Sequence, residues 1–310
     1  MPILKLKPAC KDYIWGGTKL MTEYHKAFSG NRLAETWELS CHPDGPSVIA
    51  NGMFAGRTLR EYIAVEGKRV LGSNCQIFSE FPILIKLIDA KDNLSIQVHP
   101  NNIDALADEQ QYGKTEMWYV LEAGAEAGLY YGFQKEITKA EFRRRIQDGT
   151  LLEVLNRVPV HKGDLFYIPA GTLHAIGKDI VIAEIQQSSN VTYRVFDYNR
   201  VGADGMPRKL HVDQAVEVTH CRPPRTGYNF GGHLARGAYF TVDAVKAPYA
   251  GDCDEESFTS VLVLDGAGHV CCGGETLDCR KGDSLFLPAE SGAFTLGGTI
   301  EALVTRVGTI

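Results

Sequence analysis

Lys162-Gly163-Asp164-Leu165-Phe166-Tyr167-Ile168-Pro169-Ala170 recurs in outline as Lys281-Gly282-Asp283-Ser284-Leu285-Phe286-Leu287-Pro288-Ala289. The shared frame is Lys-Gly-Asp, an apolar run of strand length, then Pro-Ala: a tight turn, a strand and a chain reversal. Upstream of each copy lies a matching hairpin start, Tyr119-Val120-Leu121-Glu122-Ala123-Gly124 and Leu262-Val263-Leu264-Asp265-Gly266-Ala267-Gly268. A likeness extending over strand, turn and strand marks an internal duplication and predicts two related β-barrels. The copies diverge past the Pro-Ala step. The first runs Gly171-Thr172-Leu173-His174, whereas counting on equally from Pro288 arrives at Glu290 for Gly171 and Ala293 for His174. The second copy has lost a histidine that the first retains.

The strand opening on His174 is one of three with misplaced polarity. In Ser95-Ile96-Gln97-Val98-His99-Pro100, alternation places Ser95, Gln97 and His99 on one face, opposite Leu94, Ile96 and Val98. In Lys114-Thr115-Glu116-Met117-Trp118-Tyr119, the same alternation groups Lys114, Glu116 and Trp118. Gln97, His99, Glu116 and His174 are thus four ligand-type residues from three strands, and a metal ion would explain their placement.

With 310 residues, 44% hydrophobic and 23% charged, the chain has material for one large core or two smaller ones. A net charge of −6 provides no broad basic field for nucleic acid, while a local basic pocket for a small anion remains possible. The start lacks a signal-peptide pattern and no apolar run approaches the ~18 residues of a membrane span, so a cytoplasmic protein without membrane association is expected. The eight cysteines form no CxxC pair and read as reduced packing residues. Helical signals are short: Thr18 to His25, Thr58 to Val65, Asn102 to Glu109, and Thr138 to Val158 with a break at Asp148-Gly149. Thr58 and Thr138 are the candidate caps, with Glu61 and Glu141 three residues on. A Gly-rich stretch near Gly227 to Gly237 divides the expected domains. Residues 1–230 form a catalytic barrel with an N-terminal segment and a helical insertion at about 137–158; residues 231–310 form a barrel without metal ligands.

Gly163, five residues, Pro169-Ala170-Gly171, two residues and His174 together resemble the second sequence motif of the cupin superfamily, small jelly-roll-like barrels of double-stranded β-helix type. More narrowly, Gln97-Val98-His99-Pro100, Lys114-Thr115-Glu116 and Pro169-Ala170-Gly171-Thr172-Leu173-His174 resemble the type I mannose-6-phosphate isomerases, notably their short bacterial form. The resemblance implies a mainly β fold of two cupin barrels with a few short helices in and around the first. It also implies one zinc ion held by Gln97, His99, Glu116 and His174, and a catalytic arginine at Arg194. Glu184 precedes Arg194 by the ten positions that separate an acid from the arginine in longer members; Asn190 stands where those members carry an aspartate. Trp15-Gly16-Gly17 resembles an opening segment close to the family's active site, which makes Trp15 a candidate substrate-binding residue.

The implied reaction interconverts mannose 6-phosphate and fructose 6-phosphate through an enediolate. Two imidazoles, a neutral amide and one carboxylate leave a zinc site near +1, able to stabilise that oxyanion. Lys114, on the face of Glu116, and Glu184 are the candidate acid/base residues; Arg194 suits a planar two-point contact with an anion, and Ser95 is a candidate phosphate contact. A small sugar phosphate is the expected partner, with no obligate protein partner. Two rivals stand beside this reading. His99, Glu116 and His174 alone resemble an Fe(II) oxygenase set, which Gln97 as a fourth ligand opposes. A non-catalytic sugar-phosphate sensor is the other, opposed by the intact complement of Lys114, Glu184 and Arg194.

Overall fold

The two Lys-Gly-Asp turns are one structure built twice. In the computed structural model, which describes residues 2–201 and 205–308, Gly163 and Gly282 have φ of 92° and 90°. Each glycine N–H donates to a valine carbonyl of the preceding strand, Gly163 to Val120 at 2.9 Å and Gly282 to Val263 at 2.8 Å. The following aspartate carbonyl accepts from that same valine N–H, at 2.9 Å in both copies. Its carboxylate accepts from the N–H three residues back, His161 at 2.8 Å and Arg280 at 2.9 Å. A left-handed residue also recurs after Pro-Ala, Gly171 at 83° and Glu290 at 61°.

The copies differ in surroundings. A Cβ at Gly163 would meet nothing, whereas one at Gly282 would lie 2.1 Å from the Tyr24 carbonyl oxygen. Gly163→Ala is therefore expected to cost about 1 kcal/mol for its positive φ alone, and Gly282→Ala at least twice that, read as the larger fall in denaturation midpoint.

The chain is mainly β and divides into two compact units, one of Met1–Asp12, Thr18–Leu87 and Asn229–Ile310, the other of Tyr13–Gly17 and Ile88–Tyr228. The units do not follow a single cut of the chain. In the first, Leu4–Lys7 pairs antiparallel with Ser284–Leu287 on one side and Val48–Ile49 on the other, so the N-terminal strand extends the sheet of the C-terminal barrel. That seven-stranded sheet and a four-stranded one, Tyr249–Cys253, Gly292–Gly298, Ala267–Cys272 and Glu275–Arg280, contribute Val261, Val263, Leu285, Val270, Phe294 and Leu296 to one buried core.

In the second unit, Leu165–Ile168, Glu116–Ala123 and Ile180–Gln187 pair in that order. A five-stranded sheet runs Tyr193–Phe196, Ile96–Val98, His174–Ala175, Gly128–Phe133, Leu155–Pro159. Alternation decides its two faces. Ile96, Val98, Leu173, Ala175, Tyr193 and Val195 turn into a core shared with Phe142 and Val216 of two helices, which leaves Gln97, His174 and Arg194 on the other face.

Of the four predicted helices, Leu59–Glu66 and Asn102–Asp108 keep the expected extent and the other two are shorter. Thr58 caps Leu59–Glu66 with the full reciprocal box to Glu61, and Thr138 caps Lys139–Gln147 by accepting from Glu141 N–H. The helical reading to Val158 is corrected: after Gly149, at φ 70°, only a 3₁₀ turn at Leu151–Val154 follows, and Leu155–Pro159 is a strand paired with Gly128–Phe133. Likewise Lys19–Thr22 is a single turn, ended before His25 at φ 56°. Among the described residues no helix is long and apolar enough to cross a membrane.

Candidate metal centre

Antiparallel register assembles the candidate ligands. Gln97 lies directly opposite His174 on one neighbouring strand and Arg194 on the other. Glu116 lies opposite Gln186, and Trp118 opposite Glu184. Cross-strand partners share a face, so these side chains converge.

His99, Glu116 and His174 are fully buried and their ligand atoms lie within 4.8 Å of one another. His99 Nε2 and His174 Nε2 are 3.2 Å apart, His174 Nε2 is 3.3 Å from Glu116 Oε1, and His99 Nε2 is 3.6 Å from Glu116 Oε2. Each imidazole is oriented from behind: His99 Nδ1 contacts the Val191 carbonyl and His174 Nδ1 the Thr172 carbonyl, both at 2.8 Å. A carbonyl only accepts, so each Nδ1 carries the proton and each Nε2 presents a lone pair inward. Burial pushes the His174 pKa down to about 4, against the smaller upward pull of its Thr172 hydrogen bond, which keeps the ring neutral at pH 7. Two inward lone pairs and a buried carboxylate form a donor set that fits a divalent cation, with the backbone carbonyls holding the tautomers.

Lys114 brings a positive charge to the same acceptors. Its buried Nζ forms an ion pair with Glu116, lies 3.1 Å from His99 Nε2 and 3.6 Å from Glu184 Oε1. Glu184 is positioned in turn by Trp118, whose Nε1–H donates to Glu184 Oε2 at 2.9 Å while its ring meets His174 edge-on at 5.3 Å. The shared strand face of Lys114, Glu116 and Trp118 is legible in the sequence; the bond from Trp118 to Glu184 is a product of register. Gln186, missed as a site residue, is wholly buried, and among the described residues its Oε1 accepts no hydrogen bond.

Arg194 is half-buried. Its Nε donates to Ser95 Oγ at 3.1 Å and its Nη1 to the Lys209 carbonyl at 3.3 Å. Its pKa is lowered from the ordinary value by burial and by neighbouring Arg208, with Asp197 opposing; an arginine still remains charged at neutral pH. Asp197, the obvious ion-pair partner nearby in sequence, instead takes Arg200 and Arg208. Burial raises the Asp197 carboxyl, but the hydrogen bonds from Arg208 and Arg200 outweigh it and hold the pKa below the usual carboxylate value. Trp15 is buried, its ring 5.7 Å from Tyr13 and its carbonyl accepting from Asp92 N–H at 3.1 Å. Thus Gln97, His99, Lys114, Glu116, His174 and Glu184 come together, Ser95 joins Arg194, and Trp15 makes its described contacts with Tyr13 and Asp92.

A double-stranded β-barrel enclosing a His-Glu-His cluster defines a cupin with a candidate metal centre. Residues 3–121 match the family description "Phosphomannose isomerase type I, catalytic domain", and residues 232–307 match "Mannose-6-phosphate isomerase, cupin domain". The chain is 38% identical to the mannose-6-phosphate isomerase of Streptococcus mutans, over 94% of either chain, and 36% identical to the mannose-6-phosphate isomerase ManA of Bacillus subtilis, over 98% of either. The crystal structure of the mannose 6-phosphate isomerase from Bacillus subtilis superposes with a TM-score of 0.89 at 34% identity, covering 98% of this chain and 99% of that one. The chain belongs to the type I mannose-6-phosphate isomerase family, a family of aldose–ketose isomerases.

Proposed function

We propose that the chain interconverts mannose 6-phosphate and fructose 6-phosphate in the cytoplasm, with one zinc ion held by Gln97, His99, Glu116 and His174. The observation that carries this reading is the convergence of two Nε2 lone pairs and one carboxylate beside a buried Lys114 that reaches toward Glu184. Every residue given a role falls within 1–230, the segment assigned to catalysis; 231–310 is assigned no metal ligand.

Zinc, when bound, supplies the Lewis acidity that favours an enediolate. The chain supplies positioning and proton transfer. Lys114 Nζ, between Glu116 and Glu184, is placed to hold a proton, and Glu184, held by Trp118, to exchange one with the substrate carbon. Arg194, anchored by Ser95 and the Lys209 carbonyl, presents a fixed charge to the phosphate or the developing oxyanion. Trp15 is assigned to the pocket wall, next to Tyr13.

The direct test is a coupled assay with mannose 6-phosphate before chelation, after chelation and after zinc is restored. Activity that disappears with the chelator and returns with zinc supports the assignment; absence of activity in all three conditions overturns it. For Arg194, replacement by lysine keeps the charge but loses the planar fork, so kcat/KM is expected to fall about 10²-fold. Unchanged kinetics would exclude its electrostatic role.

A further inference from the structure

The second barrel has lost the metal ligands, and residues of the strands that would carry them line a cavity. The repeated turns and pairings give the correspondence residue by residue. Gly171 N–H donates to the His99 carbonyl and Glu290 N–H to the Asp254 carbonyl, so Asp254 takes the place of His99. Gln97 pairs with His174, and Asp252 pairs with Ala293, the His174 counterpart. The matched hairpins place Thr259 at the position of Glu116; as Glu116 pairs with Gln186, Thr259 pairs with Arg306. By position along the strands, Gln, His, Glu and His are thereby replaced by Asp252, Asp254, Thr259 and Ala293, of which Asp252 and Ala293 are exposed while Cys253 and Phe294 turn into the core.

Arg306 supplies a charge of its own. Its guanidinium forms an ion pair with Asp254, a permanent cation at the point where the first barrel gathers its acceptors. Around it lies a cavity of about 240 Å³ lined by Thr259, Arg306, Asp252, Arg236, His233 and Asp243, with the rings of Tyr249 and Phe294 6.0 Å apart. His233 Nδ1 contacts Asp243 Oδ1 at 2.7 Å. The carboxylates of Asp243, Asp252 and Glu256 outnumber the arginines among the lining residues, so the cavity offers no surplus positive charge to a phosphate and little room for a second cation beside a guanidinium.

The aromatic face of Tyr249 and planar side chains able to grip neighbouring hydroxyl groups in pairs suit one chemistry. The volume lies below the ~300 Å³ at which sites for drug-sized molecules begin, which is the scale of a single sugar ring. We propose that this cavity binds a neutral polyhydroxylated ligand of monosaccharide size, with its ring stacked on the half-buried Tyr249 and its hydroxyl groups bonded by Arg236, Asp252 and the His233–Asp243 pair. The site is separate from the isomerase centre and the inference stands independently of the chemistry assigned there.

The test is saturation-transfer NMR and calorimetry with D-mannose as the probe and the full-length, zinc-loaded protein. Binding in the millimolar range is expected, weakened at least about tenfold by Asp252→Ala or Tyr249→Ala. Asp252 is exposed, so its replacement leaves folding intact. Both variants are expected to keep wild-type isomerase turnover, and His174→Ala to keep the D-mannose signal, because neither barrel's ligand contacts are shared. Three results would overturn the proposal: no D-mannose binding up to about 50 mM; binding lost in His174→Ala but retained in Asp252→Ala; or, in His174→Ala, tighter binding of mannose 6-phosphate than of D-mannose at the Asp252-dependent site.

Discussion

Replacing His174 with alanine is expected to strip the centre of the proposed zinc and lower kcat/KM by at least about 10³-fold. The imidazole is wholly buried, its Nδ1 is committed to the Thr172 carbonyl, and its Nε2 faces both His99 Nε2 and Glu116. Nothing about that ring is free to serve another purpose. Elemental analysis of the purified variant, alongside the coupled assay, checks both halves; a variant with full zinc and wild-type turnover would refute the ligand assignment. Acid should mimic the substitution reversibly. The folded pKa of His174, about 4, lies below its ordinary 6.5 because burial disfavours the imidazolium. Its neutral form therefore contributes stability that is complete above about pH 6.5 and is lost as pH falls toward 4. Protons compete with a cation for the same Nε2. Zinc retention and thermal midpoint are expected to fall together across that window in the wild type, and the midpoint of metal-free His174→Ala to vary less.

Glu184→Gln should lower kcat by about 10²- to 10⁴-fold, the range for losing a general acid or base, while zinc stays bound. The substitution keeps the shape and keeps an oxygen for Trp118 Nε1–H to donate to, so orientation survives and proton transfer does not. Lys114→Met should lose turnover comparably and also lose stability. Its ammonium is the buried counter-charge of Glu116 and lies within ion-pair distance of Glu184, and leaving buried carboxylates uncompensated costs about 3–5 kcal/mol. In metal-free protein that loss should appear in the chemical denaturation midpoint, and zinc should restore part of it. Near wild-type turnover in both variants with zinc in place would eliminate the proton-transfer assignment.

Much of this centre is legible in a single sequence because strand alternation is local. Gln97 and His99, or Lys114, Glu116 and Trp118, share a face by virtue of spacing alone, and the polar face of an otherwise apolar strand marks them. The duplicated Lys-Gly-Asp turn is legible for a similar reason. A left-handed glycine and an aspartate accepting from the third N–H back are requirements of a few adjacent residues, and both copies meet them. The same locality misleads at Thr138 to Val158. A capped helical start predicts helix on either side of a break at Asp148-Gly149; Gly149 at φ 70° makes that break, but beyond it Leu155–Pro159 finds a strand partner in Gly128–Phe133.

By itself, then, the sequence determined the mainly β class, the duplication, the four ligand-type residues and the absence of a matching set in the second copy. Only the tertiary structure decided which distant groups meet. It gave Glu184 to Trp118, Asp197 to Arg200 and Arg208 rather than to Arg194, and Arg194 to Ser95. It joined the N-terminal strand to the sheet of the C-terminal barrel and paired Arg306 with Asp254 beside a cavity. Periodicity and turn conformation arise among near neighbours along the chain and are written in them. Partnership across strands depends on which register buries the most apolar surface over the whole barrel, and that is settled only when all the strands are in place.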